Sequence, residues 1–184
     1  MTLDSRAASR SAASPSADER ALWAILDTVP DPEIPVVSVV DLGIVHGVEL
    51  SDDRLRVELL PTFVGCPAVE AMRAAVAERL AGARPTVEVE ITFAEPWTSD
   101  RITVRGRRRL RESGFGPPEP ADGRGEISTP APTFLPLASI ARQARCPHCG
   151  SRHTRLESAF GPTLCRSIHH CLDCRQPFEQ FKTV

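Results

Sequence analysis

The chain has 184 residues, enough for one medium domain or two small ones. Its net charge of −2 offers no electrostatic footprint for nucleic acid, and no apolar run nears the ~20 residues that span a bilayer. Hydrophobic residues, at 41%, permit a real core.

Residues 1–15, rich in Ala, Ser and Arg and without an apolar stretch, read as a disordered tail rather than a secretory signal. The expected compartment is therefore the cytoplasm, where paired cysteines are more often metal ligands or catalytic thiols than disulfides.

Ser16 and Glu19 form a capping box, and Leu22, Ile25, Leu26 and Val29 follow at helical spacing. The spacing predicts a helix over 17–29, stopped by Pro30 and Pro32. The prolines that follow make Asp31 to Asp41 an ordered loop. "GIVHGVEL" reads as a strand, Asp52-Asp53 as a turn, and "RLRVELL" as a half-buried strand antiparallel to the first, with Leu55, Val57 and Leu59 on one face. "PTFVGCP" is a loop. Pro67 suits the first turn of a helix carrying Val69, Met72, Val76 and Leu80, which Gly82 can end. "TVEVEITF" alternates as a third strand. Residues 99–113 read as a helix whose arginines (Arg105, Arg107, Arg108, Arg109, Arg111) form a solvated face, although Gly106 counts against the helix.

The order α-β-β-α-β-α, with half-polar strands, predicts a two-layer α/β (α+β) domain over residues 16–115. Residues 116–144, rich in Pro and Gly, read as a linker. Residues 145–184 form a second domain too small for a self-sufficient core, so it needs a staple.

The staple is legible. Cys146/Cys149 and Cys171/Cys174 are two C-x2-C knuckles, whose four thiolates complete a tetrahedral zinc shell and predict a zinc ribbon. The loop between them slightly exceeds the usual ~15–20 residues. Gly150 fits a turn that requires positive φ. Ligand type alone also allows iron or an iron–sulfur cluster. A redox role for Cys146-Pro-His-Cys149 lacks its context, because no βαβ unit surrounds it and Gly150-Ser151 follows at once. His148, His153, His169 and His170 read as bystanders, and Cys165 as a small buried hydrophobe.

Cys66, in Gly65-Cys66-Pro67, stands where a helix begins. A helix N-terminus stabilises a thiolate, so Cys66 is either a reactive or metal-holding thiol or a plain cap or core cysteine. Asp31, Glu33 and Asp41 could face it if their loop packs there. Capping and turn formation is the other role open to them. No Ser/His/Asp pattern, phosphate-cradling Gly loop or G-x-G-x-x-G is present, so the chain shows no catalytic apparatus.

"DPEIPVVSVVDLGIVHGVEL" and "PTFVGCPAVEAM" resemble the SufT-like family of small iron–sulfur assembly domains, through Asp31–Pro35, Asp41–Gly43 and Gly65–Pro67. With "EPWTSD", "CPHCGS", "FGPTLCRS" and "CRQPFEQFK", the chain resembles one branch in particular: the D-type (also called J-type) subunits of the bacterial phenylacetyl-CoA oxygenase, or epoxidase, system.

The resemblance implies an accessory subunit, not an enzyme, in aerobic phenylacetate degradation. It would assist iron–sulfur or metal-centre assembly in the reductase or the di-iron oxygenase. Cys66 would be the transient metal or cluster thiol, with Asp31, Glu33 or Asp41 assisting and structural zinc on Cys146, Cys149, Cys171 and Cys174. The implied partners are the other subunits of that system and iron–sulfur assembly proteins, with neither nucleic acid nor membrane, and a homodimer is left open. A structural subunit that bridges oxygenase and reductase without transferring metal is the alternative. The stretch 119–144 is loosely composed, and no functional residue is carried onto it.

Overall fold

The structure, a computed structural model, describes residues 16–63, 65–118 and 144–182. The expected tail at 1–15 and most of the expected linker lie outside the described residues.

Helix α1 runs Ala17–Leu26 and is capped by the Ser16 hydroxyl, which accepts from the Glu19 N–H at 3.1 Å. Strands β1 (Val45–Leu50) and β2 (Arg54–Leu59) form the expected antiparallel pair, with a bulge between Val45 and Gly47. Helix α2 (Val69–Arg79) then crosses over to β3 (Thr86–Ile91), which lies parallel to β2. Gly82, at φ +80, turns the chain between them.

The strand order is β1-β2-β3. One face of this sheet is packed, because Leu55, Val57 and Leu59 point together under α1 and α2 and are fully buried. Each such side chain contributes about 1.5–3 kcal/mol by leaving water. The opposite face carries charge: Arg56 reaches Glu90 at 2.7 Å and Glu58 at 3.0 Å, and Arg54 pairs with Glu88.

The loop 31–44 has no regular element, yet it is core. Ile34, Val37, Val39, Leu42 and Ile44 are buried in the same cluster as Leu26 and Met72. Its backbone is tied down by Asp31 N–H to the Val37 carbonyl and Val39 N–H to the Val29 carbonyl.

The basic segment departs from expectation. A 3-10 turn at Ser99–Arg101 precedes α3 (Val104–Glu112), and the arginines divide. Arg108 and Arg111 face solvent. Arg105 and Arg109 instead turn inward onto Asp41, each at 2.7 Å, and Arg107 caps the Ser99 carbonyl at 2.5 Å. Gly106 is required rather than tolerated: a Cβ there would stand 2.6 Å from the Asp41 carbonyl oxygen.

The second sheet has the order β4-β7-β6-β5, built from Phe115–Gly116, Pro177–Phe181, Arg166–Cys171 and Thr154–Ser158 respectively. Strand β4 lies at the end of the first domain and pairs parallel with β7. Gly116 and Pro117, expected to open a linker, are therefore held: Gln180 Nε2 donates to the Pro117 carbonyl at 3.1 Å. Phe181 on β7 belongs to the main core, where its ring packs on Trp97. The two domains share a hydrophobic seam.

Candidate metal centres

The ribbon's own apolar core amounts to Ala144, Cys146, Cys171 and Phe178, with Cys174 against it. That is too little to hold the fold. The four cysteines converge instead. Cys146 Sγ lies 3.6 Å from Cys174 Sγ and Cys149 Sγ lies 3.6 Å from Cys171 Sγ, with all four sulfurs within 4.8 Å of one another. A tetrahedron with metal–sulfur bonds of ~2.3 Å has edges of about 3.8 Å, so this donor set fits one ion in a closed shell.

Each knuckle ends in a left-handed residue, Gly150 at φ 77 and Arg175 at φ 60. Glycine advertises the first in the sequence; nothing advertises the second. Backbone N–H groups of Cys174 and Asp173 aim at the Cys171 sulfur and pull its thiol down to about 7, while against the pull of the Gln176 N–H, burial and the neighbouring sulfurs push the Cys174 thiol up to about 12. The histidines stay outside the cage. His153 bonds Asp173 at 2.9 Å, and His169 stacks on Phe178 in a buried setting that holds it neutral.

A further thiol lies in the α/β domain. Cys66 is half-buried and lies ahead of α2, whose N-cap is Ala68, so it is not itself the cap. Its environment also differs from an activating one. Burial pushes the thiol up, the Ala68 N–H pulls the other way, and the charges of Glu33, Cys165 and Asp31 push it further up. The expected stabilisation of a thiolate by the helix end is outweighed, and the thiol keeps its proton.

Cys165 feels two of the same charges, those of Glu33 and Asp31. It is half-buried, packs on the same main core as Cys66, and is raised by burial and by the charges of Glu33 and Asp31. Its sulfur lies 3.1 Å from Thr163 Oγ1, and its carbonyl accepts from the Lys182 N–H next to Phe181. Cys165 packs on the core as a small hydrophobe would, although it is only half-buried.

Of the three acids, Glu33 and Asp31 act on the Cys66 thiol through their charge. Asp31 is buried, and its Oδ1 accepts from the Glu33 and Ile34 N–H groups at 2.9 and 2.7 Å, a turn that sets Glu33 in place. Burial raises Asp31, against those two bonds and the charge of Arg166. Asp41 is occupied elsewhere. Fully buried, it accepts from Arg105, Arg109, Thr103 and the Ser38 N–H. Burial alone would raise it; the arginine and backbone bonds win and hold it below the usual carboxylate range.

Comparison with known proteins gives matches to both domains. Residues 19–93 match the family described as iron-sulfur cluster assembly protein, and residues 132–182 match the PaaD zinc beta ribbon domain. Over 165 residues the chain is 37% identical to an Escherichia coli protein named as the D-type subunit of a 1,2-phenylacetyl-CoA epoxidase, covering 89% of this chain and 92% of that one. Among solved structures, a domain of unknown function from Bacillus anthracis is 28% identical, covers 51% of this chain and 92% of its own, and has a TM-score of 0.48. A conserved hypothetical protein from Thermotoga maritima is 27% identical, with 53% and 98% covered and a TM-score of 0.44. No described helix is long and apolar enough to cross a membrane.

Proposed function

The chain belongs to the family of D-type subunits of phenylacetyl-CoA epoxidases, and from that premise we propose that it is an accessory subunit that helps deliver iron or an iron–sulfur cluster to the oxygenase or its reductase. The observation that carries this reading is the separation of two thiol environments. Four cysteines make a closed cage in the ribbon, while Cys66 stands outside it as a half-buried thiol that feels the charges of Glu33 and Asp31. A closed cage has no position left for a cargo and serves to fold the ribbon, with zinc as the ion that suits four thiolates.

Cys66 suits a transient ligand. Its sulfur meets the Ala68 N–H, and an arriving metal replaces its proton. Asp31 and Glu33 add negative charge that attracts the cation. Asp41 contributes by holding the loop that carries them.

A bridging role without metal transfer is the second reading. Leu156, Phe160, Leu164 and Leu172 on the ribbon are exposed, which favours a docking surface for a protein partner.

The test is Cys66→Ala in a reconstituted epoxidase system. The variant is expected to keep its fold, its zinc and its place in the complex while the iron content of the client falls. Full iron loading with this variant overturns metal delivery and leaves bridging.

A further inference from the structure

We propose that the ribbon's cage opens on one side, between Cys149 and Cys174, and that the Asp173 side chain latches that side by reaching from the second knuckle to Ser151 and His153 behind the first. The inference rests on the reading of the four cysteines as one closed metal site, and adds what governs how long that site keeps its ion.

Three observations carry it. The ligands are unequally covered: Cys146 and Cys171 are buried and pack with Ala144 and Phe178, Cys174 is partly covered, and Cys149 is exposed. A competing ligand therefore meets the cage from the Cys149 and Cys174 side. Asp173 stands next to Cys174, and its carboxylate spans to the other knuckle. Its Oδ2 accepts from the Ser151 hydroxyl, and its Oδ1 lies 2.9 Å from His153 Nδ1. The contacts are also prepared by the backbone. The Ser151 hydroxyl oxygen accepts from the His153 N–H at 2.9 Å, the Ser151 carbonyl accepts from the Cys146 N–H at 2.9 Å, and the Leu172 N–H donates to the His153 carbonyl at 2.8 Å.

A lone ion pair between exposed side chains contributes little, and His153 and Asp173 are 66% and 54% exposed. Here, however, one carboxylate takes two partners whose backbone is already set, so little side-chain freedom is lost on closing. Asp173, Ser151 and His153 act through the cysteines without touching the ion, which makes them positioning residues. The Asp173 backbone N–H that aims at the Cys171 sulfur is kept in Asp173→Ala, so that variant removes the latch alone. Metal-binding energy is folding energy in so small a module, and a latch that slows metal loss also prolongs the ribbon's hold on the α/β domain through Phe181.

The experiment uses the full-length, zinc-loaded chain with an excess of a chromogenic chelator and follows the rate of zinc release. Asp173→Ala is expected to release zinc roughly fivefold faster than the unmutated chain. Ser151→Ala is expected to do so by less, and to add nothing in the Asp173→Ala background, as two parts of one device do. Hydrogen exchange of β5 to β7 in the zinc-bound variants is expected to match the unmutated chain. Faster exchange there would make the role merely structural and overturn the latch. In the unmutated chain, alkylation during slow release is expected to mark Cys149 and Cys174 before Cys146 and Cys171. If Asp173→Ala is purified without zinc, Asp173→Asn and Ser151→Ala carry the rate measurement. Unchanged release rates in these variants, or effects that simply add, overturn the latch and leave the closed cage standing. Alkylation of Cys146 and Cys171 first overturns the opening side. An unmutated chain that binds no zinc overturns the cage, and the latch with it.

Discussion

Phe181, three residues from the end of the chain, packs its ring on Trp97 of the α/β domain, with centroids 5.7 Å apart and planes at 49°. Both rings are almost fully buried, and the Trp97 indole N–H is satisfied by the Leu42 carbonyl at 3.0 Å. The ribbon is thus anchored by an aromatic plug in the core of its neighbour. Phe181→Ala removes the plug. It is expected to cost about 3–5 kcal/mol and to split one unfolding transition into two, with zinc still bound. A single transition at unchanged midpoint in denaturant would show that the domains are not coupled through this contact.

Asp41→Asn tests the arginine hub. It weakens charge-assisted bonds to Arg105 and Arg109, and the expected loss is about 2 kcal/mol, since both arginines retain access to water. The pH dependence has a definite sign. The folded Asp41 value lies below its ordinary one, so the unfolded chain takes up the proton more readily. The stabilisation is whole above about pH 4 and drains as pH falls through the lowered folded value. Denaturation series at pH 6 and below pH 4 check this: wild type and Asp41→Asn are expected to converge in acid.

Gly106→Ala has an expected sign opposite to helix propensity. Alanine is better than glycine inside a helix by about 1 kcal/mol. Here its Cβ would press on the Asp41 backbone at 2.6 Å, so α3 must shift. A lower thermal midpoint is expected. A rise would mean the helix can move away freely.

Cys66 is expected to alkylate slowly. Its thiol is raised above the ordinary 9.0, so at pH 8 it reacts more slowly than a free cysteine, and the rate climbs as pH passes 9. A rate profile with its midpoint near 7 would restore the helix-activated thiol that the sequence suggested.

Metal removal by a strong chelator is expected to unfold the ribbon and leave the α/β domain, because the ribbon's apolar core is four residues and the α/β core is many times larger. Amide spectra in which β5 to β7 lose dispersion while β1 to β3 keep theirs check this.

The sequence by itself determined the periodic elements and the cage. Alternation in β2 and helical spacing in α2 are local patterns, and a C-x2-C knuckle is a local turn whose ligands lie together in the chain. The packing layers and the metal-binding ribbon were therefore legible. What lay out of reach needed residues far apart to meet. The inward turn of Arg105 and Arg109 depends on Asp41 being delivered by a loop more than sixty positions away. The proton on Cys66 depends on burial and on charges from Glu33, Cys165 and Asp31, and burial is a property of the packed molecule. The contact between the two domains depends on Phe181 of the ribbon meeting Trp97, far away in the chain. Local spacing encodes turns and ligand pairs. Desolvation and charge depend on what the fold brings near, and only the tertiary structure decided those.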